Sequence, residues 1–361
     1  MELKDLGYNA YFEDGRQALA LGECVPARVI SENRGSYWVK DTTGEYLATV
    51  TGKQMFEALS REDYPAVGDW VLVSIEGTAA IIRGILPRRT LIKRKRGDRT
   101  RARAIPDTQV IAANIDEAFI VESVDRDYSL NRFERYISVV ESGGVLPVLV
   151  LNKVDLLTPQ ERSERLDELR KRFPSITVFF TSVAQGEGVV ELLEYISPGR
   201  TYGFLGSSGV GKSSLVNNLL GQAFEKTGEI GFRSGRGRHV TTRRQMYFLK
   251  NGGMVIDNPG MREIGLTDGE GVGALFDAIE AQRKLCKFAD CTHTHEPGCA
   301  VSAAAKEGVI DEGQYENYLH LKKEAEYAEL SENGKREKHR EFGKFVNKGK
   351  KDLKKFGHKD Y

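Results

Sequence analysis

This 361-residue sequence has no long apolar run, and its first residues do not show the pattern of a secretory signal peptide. The longest apolar run, residues 145–151, is far shorter than the roughly 20 residues that a membrane helix needs. The first fifteen residues are acidic and aromatic, without a basic region followed by an apolar one. We therefore expect a soluble, cytoplasmic protein that has no membrane partner.

Cysteine is also scarce, with four residues in the whole chain. The length excludes a disulfide-stapled miniprotein, because it allows two or three domains of about 150 residues and a sizeable core in at least one of them. Three of the four cysteines lie between residues 286 and 299. In a cytosolic chain such clustering favours a metal site over disulfides.

Neither sign of charge dominates, since 53 basic residues face 52 acidic ones. The basic residues are nevertheless concentrated. Residues 88–103 hold nine Lys or Arg against one acid, and residues 335–361 hold eleven against four. Solvated surface is the ordinary explanation of such runs, and affinity for RNA is the alternative.

Five short β-like segments, separated by turn signals, occupy residues 25–86. This pattern predicts a small barrel, with the OB-fold as the leading candidate. OB barrels often bind nucleic acid, which the adjacent basic run would favour, although a purely structural β-module is the alternative. From residue 118 to 256 strands and helices alternate, which predicts a mostly parallel, doubly wound α/β sheet. No internal repeat is visible.

A P-loop pattern stands between a predicted strand and a predicted helix, as that motif requires. Its glycines let backbone N–H groups turn inward around phosphates, and the helix N-terminus adds partial positive charge. Lys212 would neutralise the β and γ phosphates, and the Ser213 hydroxyl would hold Mg²⁺. The predicted nucleotide-binding residues here are Gly206, Ser207, Ser208, Gly209, Val210, Gly211, Lys212, Ser213 and Ser214.

The run Asn152-Lys153-Val154-Asp155 predicts that the base is guanine. The Asp155 carboxylate would accept hydrogen bonds from two guanine donors, whereas adenine would leave the carboxylate unpaired. After the next predicted strand, Ser182 and Val183 stand where such proteins place a backbone N–H against guanine O6.

Asp257 follows another apolar strand and would reach Mg²⁺ through water, while the Gly260 N–H would contact the γ-phosphate. The segment 233–244 is rich in Gly and Arg, and either Thr241 or Thr242 would complete the Mg²⁺ shell.

Met261 stands where many GTPases carry the glutamine that orients the attacking water. His239 is the nearest candidate for that catalytic task, and an exposed switch histidine without a chemical role is the alternative.

These elements come in an unusual order, because the guanine-reading residues precede the P-loop and the P-loop precedes Asp257. In ordinary small GTPases the P-loop comes first. The order therefore predicts a circularly permuted G domain whose last switch segment leads directly into the cysteine-rich region.

The cysteine-rich region predicts one structural Zn²⁺ per chain, since a closed set of three Cys and one His suits tetrahedral zinc. His295 is an alternative fourth ligand. The predicted ligands are Cys286, Cys291, His293 and Cys299.

The barrel, the permuted G domain and the Cys/His run together resemble the RsgA (YjeQ) family of small ribosomal subunit biogenesis GTPases. Residues 237–242, Gly-Arg-His-Val-Thr-Thr, resemble that family's switch sequence, with Val240 in place of the usual threonine. The resemblance covers about residues 20–330 and favours His293 over His295. It implies a GTPase that binds the small ribosomal subunit late in assembly, contacts its rRNA through the barrel and the zinc domain, is stimulated by the subunit, and leaves after hydrolysis.

We therefore expect a monomeric, multidomain protein: a small OB-fold β-barrel, a circularly permuted α/β P-loop G domain, and an α-helical zinc-binding domain. Two other functions remain open, namely a GTP-gated ribosome-binding module with negligible hydrolysis and a permuted GTPase of large-subunit assembly. The predicted boundaries are an N-terminal extension 1–20, OB-fold 21–92, basic linker 93–108, G domain 109–268, zinc domain 269–334 and basic tail 335–361.

Overall fold

Five strands close a small barrel in the amino-terminal part of the computed structural model, which describes residues 1–33, 35–95, 108–125, 128–224, 244–257 and 275–329. The strand order is β1-β2-β3-β5-β4, with β3 parallel to β5, and β4 pairs back onto β1 to close the barrel. This confirms the predicted barrel of the OB type. The strands are β1 Val25–Asn33, β2 Ser36–Lys40, β3 Glu45–Val50, β4 Trp70–Glu76 and β5 Ala79–Ile85.

The barrel core follows from alternation along its strands. In β2 every second residue is buried, as expected for a strand with one face toward a core. Mostly small and β-branched side chains, together with Tyr37, fill the interior, and they belong to a single apolar cluster. Its buried members are Ala27, Val29, Tyr37, Val39, Ala48, Val71, Val73, Ala80 and Ile82.

A short N-terminal helix, α1 (Ala10–Leu19), packs against the barrel. Asn9 begins the helix, because its side chain accepts a hydrogen bond from the Tyr11 N–H. Leu6 and Phe12 are buried in a cluster with Trp70 of the barrel. The helix α2 (Gly52–Glu57), between β3 and β4, has no buried residue.

Two strands at the ends of the basic segment pair with each other. These are β6 (Leu91–Lys95) and β7 (Thr108–Ala113), which form an antiparallel ladder outside the main sheet. Residues 96–107 between them lie outside the described part of the chain.

Six strands form the predicted α/β sheet in the order β10-β9-β8-β11-β13-β12. All neighbours are parallel except β12 and β13. Apolar clusters cover both faces, one containing α5 and α6 residues and the other α3 and α4 residues, so the sheet is doubly wound. The strands are β8 Glu117–Ser123, β9 Leu146–Asn152, β10 Val178–Thr181, β11 Thr201–Leu205, β12 Gln245–Phe248 and β13 Met254–Asp257. The helices are α3 Leu130–Ser142, α4 Pro159–Arg172, α5 Val189–Tyr195 and α6 Lys212–Phe224.

The barrel and the α/β sheet are joined directly. Ser31 of β1 pairs with Gln245 of β12, so the strands form one continuous hydrogen-bonded sheet. The fully buried Arg28 donates to the carbonyl oxygens of Gly68, 3.3 Å away, and Asn114, 2.9 Å away, as well as to that of Leu6. Burial lowers the pKa of Arg28 to about 10, which still leaves the guanidinium charged at neutral pH.

Three helices follow the α/β sheet in the described part of the chain beyond residue 275: α7 (Asp277–Arg283), α8 (Ala300–Lys306) and α9 (Glu312–Glu329). Their buried residues, with Cys291 and Cys299, belong to the same apolar cluster as one face of the α/β sheet. Among the described helices, none is both long and apolar enough to cross a bilayer.

Candidate nucleotide and metal sites

The loop between β11 and α6 carries the P-loop sequence, and its backbone requires glycine. Gly206 and Gly211 have φ values of 138° and 101°, in the range that other residues rarely adopt. A Cβ on Gly206 would collide with the Val121 carbonyl oxygen, and one on Gly211 with the Asn152 amide. The loop therefore packs closely against β8 at Val121 and against the end of β9 at Asn152.

Lys212, at the start of α6, is buried beneath this loop. Its Nζ donates to the carbonyl oxygens of Gly206 and Ser207, at 2.6 and 2.5 Å. Burial lowers the pKa of Lys212, and the charges of Asp257 and Glu122 act against that shift. The structure thus holds the Lys212 ammonium against the backbone carbonyls of the loop.

Ser213 and Asp257 meet beside the lysine. Asp257 ends β13, and β13 runs parallel to β11, so both strands point their carboxyl ends toward the loop. The Ser213 hydroxyl donates to Asp257 Oδ2 over 3.0 Å, while the buried Oδ1 has no hydrogen-bond partner among the described residues. Burial raises the pKa of Asp257, against the Ser213 hydrogen bond and the Lys212 charge. A hydroxyl and a carboxylate with a spare oxygen are donors that fit Mg²⁺.

Asn152 connects three segments of the predicted site. It is buried at the end of β9, and its Nδ2 donates to the Val210 carbonyl of the P-loop over 2.8 Å. Its Oδ1 accepts a hydrogen bond from the Thr181 hydroxyl, at 3.0 Å, from the end of the adjacent strand β10. The base-reading and phosphate-binding segments are therefore held together by one amide.

Asp155 and Ser182, which are 27 residues apart in sequence, lie in contact. The Ser182 hydroxyl donates to Asp155 Oδ1 over 2.5 Å, which orients the carboxylate. Lys153 has a left-handed backbone, with φ 61°, and its Nζ donates to Asp125 Oδ2 over 2.7 Å. Val183 follows Ser182 and is half-buried.

Other predicted residues are exposed at the loop or lie outside the described part of the chain. Ser208, Gly209 and Ser214 are exposed, the first two in the loop and the third in the first turn of α6. The catalytic candidate, the two threonines and the residue expected at the γ-phosphate fall outside the described residues. These are His239, Thr241, Thr242 and Gly260, and Met261 lies outside with them.

One contact at this site carries no motif by which sequence could have revealed it. Asp125, the partner of Lys153, follows β8, whereas Lys153 follows β9. The contact depends on the parallel pairing of these two strands, which places their carboxyl ends side by side.

The three clustered cysteines and His293 come together as a second site. Their ligand atoms all lie within 4.8 Å of one another. His293 Nδ1 is 3.6 Å from both Cys286 Sγ and Cys299 Sγ, and the two sulfurs are 4.0 Å apart. Ligands of a tetrahedral zinc ion are about 3.5–3.8 Å apart, so this set fits such an ion closely. His295 is exposed and shares a hydrogen bond with Thr294, outside the cluster.

Local structure explains why the cluster forms. His293 has a left-handed backbone, with φ 67°, and its carbonyl accepts a hydrogen bond from the Tyr315 hydroxyl over 2.6 Å. Cys299 caps α8, because its Sγ accepts from the Ser302 N–H. Burial would raise the pKa of the Cys286 thiol, but hydrogen bonds from backbone N–H groups at the start of α8 bring it below its ordinary value. These hydrogen bonds favour the thiolate of Cys286, which is the form that binds metal, whereas burial raises the pKa of the Cys291 thiol to about 11.

The matching family model and two similar proteins carry the RsgA name. The RsgA GTPase family model matches residues 85–267. The chain is 38% identical over 343 residues to the small ribosomal subunit biogenesis GTPase RsgA of Opitutus terrae, covering 91% of each protein. It is 39% identical over 328 residues to an RsgA of Bacteroides thetaiotaomicron bearing the same description, covering 90% of each.

Two solved structures are also similar. YjeQ from Thermotoga maritima superposes with a TM-score of 0.61 at 28% identity, covering 82% of this chain and 97% of that one. YloQ, described as a circularly permuted GTPase, has a TM-score of 0.60 at 22% identity, covering 85% of this chain and 96% of that one, and shares the fold.

Proposed function

This chain belongs to the RsgA GTPase family, and from that membership we propose that it hydrolyses GTP during assembly of the small ribosomal subunit. The observation that carries the proposal is the convergence of Lys212, Asp257, Asn152 and Asp155 at the carboxyl ends of neighbouring parallel strands. That edge is where open α/β sheets bind their ligands. The motif order makes the G domain circularly permuted.

Asp155 reads guanine in this proposal. Its carboxylate is half-buried and held by Ser182, so little reorganisation is needed before it accepts hydrogen bonds from the base. The backbone at Ser182 and Val183 is fixed by the paired N–H and C=O groups of Ser182 and Glu187, which supports a role as the contact to guanine O6. Asn152 holds this pocket against the P-loop through the Val210 carbonyl, and Lys153 bonds Asp125 after β8.

The P-loop binds the phosphates. Lys212 exchanges its two carbonyl contacts for phosphate oxygens, and the backbone N–H groups of residues 206–214 surround them. Ser213 and Asp257 would hold Mg²⁺, which supplies positive charge to balance the phosphates. The spare buried oxygen of Asp257 supports this assignment. By their positions in the sequence, either Thr241 or Thr242 would complete the Mg²⁺ shell, and the Gly260 N–H would contact the γ-phosphate.

His239 is our candidate for the group that positions the attacking water. Met261 has an apolar side chain and cannot hydrogen-bond water in the way that glutamine does. The free enzyme should therefore hydrolyse GTP slowly, and stimulation by the small subunit should require a group outside the P-loop. His239 lies in the Gly- and Arg-rich segment between the P-loop and β12, as the resemblance to the family's switch sequence implies.

The Cys/His cluster binds one zinc ion with a structural role. All four ligand positions come from this chain, which leaves no open position for a substrate. The thiolate-favouring hydrogen bonds at Cys286 and the left-handed turn at His293 support zinc over an unmetallated cluster. The ion would add folding energy to the short loop between α7 and α8.

The barrel and the two basic runs are the proposed contacts to rRNA, since phosphate backbones attract Lys and Arg. The chain acts as a monomer in the cytoplasm, where ribosomal subunits are assembled.

Single-turnover GTP hydrolysis, measured alone and with purified small or large subunits, tests the proposal. Stimulation by small subunits and not by large ones is expected. Stimulation by large subunits instead would support a role in large-subunit assembly, and GTP-dependent binding without stimulation would support a binding module with negligible hydrolysis.

A further inference from the structure

An ion pair between Lys153 and Asp125 crosses the carboxyl edge of the α/β sheet. Lys153 follows β9, and its Nζ donates to Asp125 Oδ2 over 2.7 Å. Asp125 follows β8, the strand that pairs in parallel with β9. The lysine side chain therefore reaches from the end of one strand to the end of the next. Asp125 belongs to none of the nucleotide-binding motifs of the sequence.

This pair lies where the base-reading and phosphate-binding segments meet. Lys153 stands between Asn152, which bonds the P-loop carbonyl of Val210, and Asp155, which reads guanine in our proposal. In the strand order β10-β9-β8-β11, the base-reading residues follow β9 and β10, and the P-loop follows β11. Because β8 stands between them, a nucleotide that joins the base pocket to the P-loop passes the end of β8 and the side chain of Lys153.

Asp125 is itself held in place. Ser123, a 1% exposed residue at the end of β8, donates its hydroxyl to Asp125 Oδ1 over 2.6 Å. The two carboxylate oxygens thus have different partners, a serine on Oδ1 and a lysine on Oδ2. The hydrogen bonds from Lys153 and Ser123 hold the pKa of the Asp125 carboxyl below its ordinary value, so the group is ionised at neutral pH. Asp125 therefore presents a fixed negative charge to the lysine.

Lys153 needs such a partner to stay ordered. Its backbone has φ 61° and ψ 33°, the left-handed region that residues with a Cβ rarely adopt, and the short turn 154–156 begins directly after it. Its side chain is about one-third exposed and has many rotamers in solution. Ordering a flexible side chain at the moment of binding costs affinity, and an ion pair that orders it beforehand removes part of that cost.

We propose that Asp125 is a positioning residue for nucleotide binding, which holds the Lys153 side chain at the end of β8, where its alkyl chain borders the nucleoside half of GTP or GDP. This inference rests on the proposed nucleotide site and adds to it a residue outside every motif. Because Asp125 acts through Lys153 on the nucleoside half, its loss should weaken nucleotide binding and spare the binding of phosphates alone.

Asp125→Ala in the full chain removes the carboxylate. We expect the Kd for fluorescent GDP to rise about three- to fivefold, the size of effect expected for a well-ordered exposed ion pair. Asp125→Asn keeps an oxygen that can accept from Lys153, so it should lose less affinity. Glu45→Ala is the matched control, because Glu45 is similarly exposed and pairs with Lys40 of the barrel at 2.9 Å. A Kd for Asp125→Ala equal to that of Glu45→Ala would overturn the proposal.

Two further measurements separate positioning from a merely structural role. In a Lys153→Met background, Asp125→Ala should cause no further rise in Kd, because the ammonium that it holds is absent. The inhibition constant of inorganic tripolyphosphate, measured against fluorescent GDP, should be the same for Asp125→Ala and the wild type. An undiminished loss in the Lys153→Met background, or an equal weakening of tripolyphosphate, would show that Asp125 supports the site as a whole and would overturn the proposal.

Failure of this inference and of the proposed nucleotide site are distinguishable with Lys212→Ala. If Lys212→Ala abolishes GDP binding while Asp125→Ala binds like the wild type, only the role of Asp125 is wrong. If Lys212→Ala binds GDP normally, the nucleotide site itself is wrong.

Discussion

Replacing Asn152 with alanine should separate the base-reading and phosphate-binding halves of the nucleotide site. The Asn152 amide bonds the Val210 carbonyl at 2.8 Å and the Thr181 hydroxyl at 3.0 Å, and both partners belong to fully buried residues. Alanine would leave both groups without their partner. The substitution also opens a space next to Gly211, whose backbone packs against this amide.

The cost follows from the two broken bonds. Leaving one buried polar group unsatisfied costs about 1–3 kcal/mol, and water entering the new space would recover part of that. We therefore expect Asn152→Ala to lower the free energy of unfolding by about 2–4 kcal/mol. Nucleotide affinity should fall by more than about tenfold, because Val210 and Thr181 lie in the two segments that contact the ligand in our proposal.

Urea unfolding and fluorescent GDP binding measure the two effects. Asn251→Ala is a matched control, because the Asn251 amide also bridges separate segments: its Nδ2 donates to the Leu193 and Ile196 carbonyls at 3.0 and 2.7 Å, and its Oδ1 accepts from the Gly253 N–H. That turn precedes β13, at the opposite end of the strand from Asp257, so its loss should reduce stability without changing GDP affinity. If Asn152→Ala bound GDP as tightly as Asn251→Ala does, the reasoning would be refuted.

Further predictions concern the base, the metals and the catalytic step. Asp155→Asn should weaken GTP binding by about a hundredfold and improve binding of xanthosine triphosphate, and competition between the two nucleotides tests this; an unchanged preference for GTP would reject the assignment. Cys291→Ser should release zinc and unfold residues 286–299 while GDP binding largely survives, whereas elemental analysis finding no zinc in the wild type would exclude the metal. Burial raises the pKa of Asp257, so the Mg²⁺-dependent affinity for GDP should be complete above that pKa and fall as the pH drops through it. Measurements of GDP affinity with Mg²⁺ at a series of acidic pH values test this, and an affinity that does not change with pH would show that Asp257 plays no part. His239→Ala should keep GTP-dependent binding to small subunits but lose about a hundredfold or more of the stimulated hydrolysis in single-turnover assays, and full stimulation would leave the histidine without a catalytic role.

Much of the fold could be predicted from local pattern. The five strands within residues 25–86 and the alternating strands and helices of residues 118–256 were predicted, because turn signals and helix caps such as the capping box and N-terminal proline of α4 are local. The N-terminal segment was different. Its helix α1 was not predicted, although Asn9 provides a capping signal, because the apolar residues around it make sense only against Trp70 of the barrel.

The sequence alone determined the chemistry of the two sites, since a P-loop, a guanine-reading motif and a Cys/His run are short segments whose residue types carry their meaning. Their order along the chain also determined the permutation. Tertiary structure decided how these segments meet: Asn152 bonded to Val210, Ser182 bonded to Asp155, and His293 placed beside Cys286 and Cys299. It alone showed that β1 pairs with β12 and that Arg135 of α3 forms an ion pair with Glu324 of α9. Outside the Cys/His run, these contacts link residues from about 30 to more than 200 positions apart, and hydrogen bonds of that kind depend on packing geometry, which no local sequence pattern encodes.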